Sequence, residues 1–138
     1  MNEYKYADIE VGKTECFCAE ITEDTISRFR ELTGDDNPLH KDDDYAKEKG
    51  YWGKVGFGML TAAFLSTLAG VYLPGKYSLI QQIKLDFSNP VFAGDKLEIT
   101  GEVTEKNDLF NLIYIKVTIR NQNEKKVLRG NMQVRVTE

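Results

Sequence analysis

A chain of 138 residues with 41% hydrophobic content is expected to form a single domain, residues 1–138, with enough apolar material for a core. Eighteen Lys and Arg against 22 Asp and Glu leave a net charge of −4, and no basic run is present that would track a phosphate backbone, so nucleic acid is not an expected partner. With one histidine and two cysteines, a zinc site is not expected either.

Met1 to Gly12 is polar and lacks an apolar stretch followed by a small-residue cleavage site, which makes the cytoplasm the default expectation. Thr14 to Ile21 has strand character and places Cys16 and Cys18 on one face, an arrangement suited to neither a disulfide framework nor a metal site. Thr22 is a plausible N-cap for a helix that carries Ile26, Phe29 and Leu32 at spacings of three and stops near Gly34.

The run Leu32-Thr33-Gly34-Asp35-Asp36-Asn37-Pro38-Leu39-His40 follows, with the chain's only histidine five residues after Asp35. Proline drives Asn37 towards an extended conformation, so Asp35, Asn37 and His40 sit on a bent loop instead of a continuous helix. A turn of this kind can fold a carboxylate and an imidazole towards one point, the pairing needed for general acid and base work on a small molecule. The same residue types are also ordinary turn formers, and spacing alone does not separate the two readings.

The acids around His40 do not make a calcium loop. Counted from Asp35, position six is His40 where glycine is required, and position twelve is Ala46. Asp42 to Asp44 instead open a short helix that closes at Lys47-Glu48-Lys49-Gly50. No metal and no cofactor are expected.

A glycine-rich passage, Gly50 to Gly58, leads into Gly58 to Leu73, which is apolar on nearly all sides and reads as a buried helix. Its sixteen residues fall short of the roughly 20 that cross a bilayer, so no membrane partner is expected. The stretches Tyr77 to Phe87, Lys96 to Thr104, Leu109 to Arg120 and Lys126 to Val136 read as strands, and the short turns between them imply antiparallel neighbours. A long apolar helix held in a strongly curved antiparallel sheet is an α+β, hotdog arrangement.

Several of these segments resemble one family. Thr33-Gly34-Asp35-Asp36-Asn37-Pro38-Leu39-His40, Gly58-Met59-Leu60, Leu73-Pro74-Gly75-Lys76 and Phe87-Ser88-Asn89-Pro90-Val91-Phe92-Ala93-Gly94-Asp95 together look like the MaoC-like (R)-specific enoyl-CoA hydratases. The resemblance implies reversible addition of water across the trans-2 double bond of an acyl-CoA or acyl-carrier-protein thioester, with Asp35 and His40 as the acid/base dyad and Asn37 orienting the dyad or the substrate. It also implies a pocket position for Ser66 and a homodimer with active sites near the interface. Hydration builds enolate-like charge on the thioester oxygen, and the backbone N–H of Gly58, at the start of the central helix, is the candidate to stabilise it.

The sequence departs from the family pattern at Phe57, where His-Gly-Met is usual, and at Gly53-Lys54-Val55, where a basic-proline step is usual. These departures leave the pocket wall and the acyl preference open, and a bulky Phe57 could shorten or reshape the acyl tunnel. Lys54 and Lys76 are candidates to meet carrier phosphates, against the ordinary role of solvated surface lysines. Two other functions compete with hydration: a hotdog thioesterase, which would release free thiol, and an acyl-thioester-binding module without turnover.

Overall fold

A computed structural model describes residues Met1–Glu138. Strand β1 (Thr14–Glu20) leads into helix α1 (Glu23–Thr33), a 3₁₀ turn at Pro38–His40 and helix α2 (Asp43–Glu48). The central helix α3 (Gly58–Thr67) runs on through a wider π turn at Leu68–Tyr72, and β2 (Ser78–Phe87), β3 (Lys96–Asn107), β4 (Leu112–Arg120) and β5 (Lys126–Val136) complete the chain.

The strands form one antiparallel sheet in the order β1-β3-β4-β5-β2. Hairpin turns make β3, β4 and β5 sequential neighbours, as expected. The connection from Ser88 to Asp95 behaves differently: β2 pairs with β5, with Ile83 opposite Met132, and β3 pairs with β1, with Ile99 opposite Phe17. Strands β2 and β3 therefore lie at opposite ends of the β3-β4-β5 block, because closing the sheet over α3 needs a crossing connection that loop length alone does not reveal. Register shifts between Ile80 and Gln82 and between Val103 and Glu105 bend and twist the strands locally.

The inward face of the sheet presents Leu97, Ile99, Val103, Ile113, Ile115, Val117, Ile119, Met132 and Val134, all essentially inaccessible, to Leu65, Leu68 and Ala69 of the central helical segment. Fully burying a leucine of this kind contributes about 1.5–3 kcal/mol. Thr22 caps α1 by accepting the N–H of Thr25, and Gly34 closes it at φ +72°, a left-handed conformation that favours glycine.

Two expectations change. Leu32 is 84% exposed, because positions three apart on a helix drift by about 60° per step and Leu32 has turned well away from the buried Ile26. The central helix is not enclosed on all sides: Met59, Ala63 and Ser66 form an open face, since the sheet wraps only the opposite side. No helix is long and apolar enough to cross a membrane. Cys16 and Cys18 are both exposed, and both thiols are free.

Candidate active site

The loop after α1 is held by its own polar side chains. The Thr33 hydroxyl donates to the Phe29 carbonyl at 2.8 Å and accepts the Asp35 N–H at 3.3 Å. Asp35 Oδ1 accepts the Asn37 N–H at 3.1 Å, and Asn37 Oδ1 accepts the Leu39 N–H at 3.0 Å. These successive side-chain turns, with proline at the first position of the 3₁₀ turn, fix the direction in which His40 leaves the loop. Lys41 Nζ and Asp36 Oδ2 lie 2.6 Å apart, and the ammonium holds the Asp36 carboxyl below the usual carboxylate range.

His40 is anchored at three points. Its Nδ1 lies 2.8 Å from the Val55 carbonyl oxygen, the Val55 N–H donates to the Leu39 carbonyl at 3.0 Å, and its ring packs 4.1 Å from that of Phe57. A carbonyl only accepts, so Nδ1 carries a proton, and Nε2 is the ring nitrogen left to exchange one. Phe57 itself is 2% exposed, packs 5.0 Å from Phe29, and lies beneath the imidazole as core. It lines neither the cleft beside His40 nor the apolar groove along α3.

His40 lines a cleft of about 340 Å³ together with Tyr51, Gly58, Thr61, Phe87, Asn89 and Val91. The glycine-rich loop and the Ser88–Val91 connection form its walls and are tied together by the Gly56 N–H, which donates to the Val91 carbonyl at 2.6 Å. Gly58 is the first residue of α3, whose N-terminus has no side-chain cap, and the first N–H groups of a helix have no acceptor within the helix. A side chain at 58 would stand 3.1 Å from the Phe87 ring, so glycine is what lets that ring lie against the helix start.

Phe87 also borders a second, almost wholly apolar groove of about 580 Å³ between α3 and β2, lined by Phe29, Met59, Ala63, Ser66, Ile80 and Ile83 among others. The structure thus brings His40 and Gly58 to one cleft and Ser66 to the adjoining groove. Asp35 and Asn37 lie on the exposed loop before His40 and are not among the residues that line the cleft, and their side chains are bonded to the loop's own backbone. Asp35 Oδ2 makes no hydrogen bond within the chain.

The two lysines considered for phosphate contact are ion-paired. Lys54 Nζ lies 3.0 Å from Glu23, and Lys76 Nζ lies 3.2 Å from Glu3, a contact that raises the Lys76 pKa. Sequence reasoning missed Thr61, Tyr51 and Phe87. No grouping of His, Cys, Asp and Glu side chains suited to a metal ion occurs in the chain.

Comparison with known proteins bears on this geometry. The profile of the MaoC like domain family matches residues 13–125. A 3-hydroxybutyryl-CoA dehydratase of Methylorubrum extorquens is 35% identical over 100 residues, covering 72% of this chain and 64% of that protein, so the match spans just under two thirds of its length. An (R)-specific enoyl-CoA hydratase of Rhodospirillum rubrum is 34% identical, covering 72% of this chain and 69% of the relative. Among solved structures, an unliganded R-hydratase from Pseudomonas aeruginosa superimposes with a TM-score of 0.90 at 31% identity, covering 97% of this chain and 86% of the other.

Proposed function

Because this chain belongs to the MaoC-like domain family, with the hotdog fold, we propose that it is a hydro-lyase that adds water to trans-2-enoyl thioesters to give (R)-3-hydroxyacyl thioesters, or catalyses the reverse dehydration. One observation carries the reading. His40 is held through Nδ1, which leaves Nε2 to exchange a proton, and it lines the same cleft as the uncapped N-terminus of α3.

In this proposal a water proton passes to His40 Nε2 as the water oxygen bonds to the β-carbon of the substrate. Electron density moves onto the thioester oxygen, where the Gly58 N–H stabilises it as a preorganised donor. Collapse of the enolate then takes that proton back from His40 Nε2–H onto the α-carbon, which returns the imidazole to its starting form with one water added across the double bond. Asp35 is assigned to the same reaction as a second acid/base group that reaches the substrate water through its free Oδ2, and Asn37 keeps the loop in shape through its bond to Leu39. Ser66 lies on the apolar groove and on this reading borders the acyl chain.

The thioester carrier is CoA or an acyl carrier protein. The working form is a homodimer closed over β2: this strand has no neighbour on its outer side, and Leu79, Ile83 and Phe87 on it are 51%, 41% and 53% exposed. The other free edge, β1, carries Glu15 and Glu20, charges of the kind that protect an open edge.

A continuous assay over a series of trans-2-enoyl-CoA lengths tests the function. Loss of the enoyl absorbance without free thiol, with an (R)-configured product, supports it, whereas thiol release points to a thioesterase and binding without either change to a binding module. Asp35→Asn and His40→Ala are each expected to lower hydration by about two or more powers of ten while leaving the circular dichroism unchanged. Near-normal rates in both folded variants would remove the dyad from the reading.

A further inference from the structure

Thr61 lies three residues beyond Gly58, so both residues stand on one face of the first turn of α3, and both line the His40 cleft. Thr61 is 2% exposed and its N–H donates to the Phe57 carbonyl at 3.2 Å. Its hydroxyl is the only buried side-chain oxygen or nitrogen in the chain without a hydrogen-bond partner.

That isolation needs a reason. A threonine inside a helix ordinarily turns its hydroxyl onto the carbonyl four residues back, here Phe57, yet this bond is not made. A buried hydroxyl without a partner opposes folding, and valine would fill the same volume with no unpaired group. A partner for this hydroxyl has to come from the cleft. Threonine on a helix populates two χ1 wells, so one step about Cα–Cβ exchanges hydroxyl and methyl between the helix side and the cleft side.

We propose that the Thr61 hydroxyl donates a hydrogen bond to the carbonyl oxygen of the bound acyl thioester, beside the N–H of Gly58. The inference rests on the hydratase reading for its substrate, and it adds a side-chain donor to a site otherwise furnished by backbone. Negative charge accumulates on that oxygen as water adds, so the bond strengthens between the bound substrate and the transition state. Its loss therefore falls on kcat more than on KM.

The experiment compares Thr61→Val and Thr61→Ser with the wild type on trans-2-enoyl-CoA, together with thermal melting. Thr61→Val is expected to lower kcat about tenfold with little change in KM, the scale of one lost donor, and to melt no lower than the wild type because it removes an unpaired polar group. Thr61→Ser, which keeps the hydroxyl, is expected to stay within about threefold of wild-type kcat. A wild-type kcat for Thr61→Val overturns the proposal, and so does equal impairment of both variants, which would assign the effect to the shape of the methyl group. Should Thr61→Val fail to fold, Thr61→Ala is read by the same criteria. If the wild type hydrates no enoyl-CoA, the hydratase reading has failed, and titration with the enolate of acetoacetyl-CoA at alkaline pH, which carries the negative oxygen, then decides for Thr61: about tenfold weaker binding to Thr61→Val keeps the carbonyl contact, and equal binding overturns it.

Discussion

The imidazole of His40 owes its orientation to backbone it does not belong to. The Val55 carbonyl fixes the tautomer from one side and the Phe57 ring supports the plane from beneath, so the ring loses freedom before any substrate arrives. Gly58 works by what it lacks. Gly58→Ala should gain up to about 1 kcal/mol of helix propensity and lose a similar amount by pushing on the Phe87 ring, leaving stability within about 1 kcal/mol of wild type. The same push moves the ring across the mouth of the cleft, so hydration is expected to fall by about tenfold, the scale on which a misplaced group is felt; an unchanged rate with a displaced denaturation midpoint would make Gly58 a packing residue only. His40 and Gly58 were legible in the sequence because each carries a distinctive neighbourhood, proline on one side and a long apolar run on the other. Thr61 was hidden because a threonine in an apolar helix reads as filler, and its unmet hydrogen bond exists only in three dimensions. The direction of Asp35 was equally out of reach, since it is decided by competition between the cleft and the N–H of Asn37 within the same loop.

Elements were read best where a local rule dictates them. Thr22 and Gly34 bound α1 as their side-chain oxygen and left-handed φ require, and the Lys126–Val136 strand carries the bounds expected from its residues. Reading failed where the partner of a face had to be known. The all-round apolarity of α3 suggested enclosure, yet the sheet covers only the side bearing Leu65 and Leu68, and the remaining apolar side meets a groove. The contrast between α3 and α1 gives a direct check. Leu65→Ala removes a fully buried side chain and is expected to cost about 2–5 kcal/mol, whereas Leu32→Ala, on an 84% exposed residue, should lie within about 0.5 kcal/mol of wild type. Urea unfolding of both variants measures the difference, and comparable losses would contradict the observed facing of α1.

At the scale of the whole molecule, the chain leaves its apolar surface in one place. Met59 on α3 and Ile83 and Phe87 on β2 are 65%, 41% and 53% exposed and border a single groove, and the backbone groups along the outer side of β2 have no strand to bond. An open strand edge beside an apolar groove is a surface that folded proteins normally cover, whereas the opposite edge at β1 carries charge instead. A second copy related by a two-fold axis would set β2 against β2, continue the sheet, and bring two identical grooves together, since such an interface joins the same patch on both copies. Sedimentation equilibrium at micromolar concentration is therefore expected to give twice the chain mass of 15.7 kDa. Ile83→Lys, which places an ammonium in the groove without touching the core beneath the sheet, should return the protein to the mass of one chain and lower hydration with it, because Phe87 joins the groove to the His40 cleft. Wild-type protein that sediments as a single chain, or a lysine variant that remains paired, would mean that this face is left bare or is covered by something else.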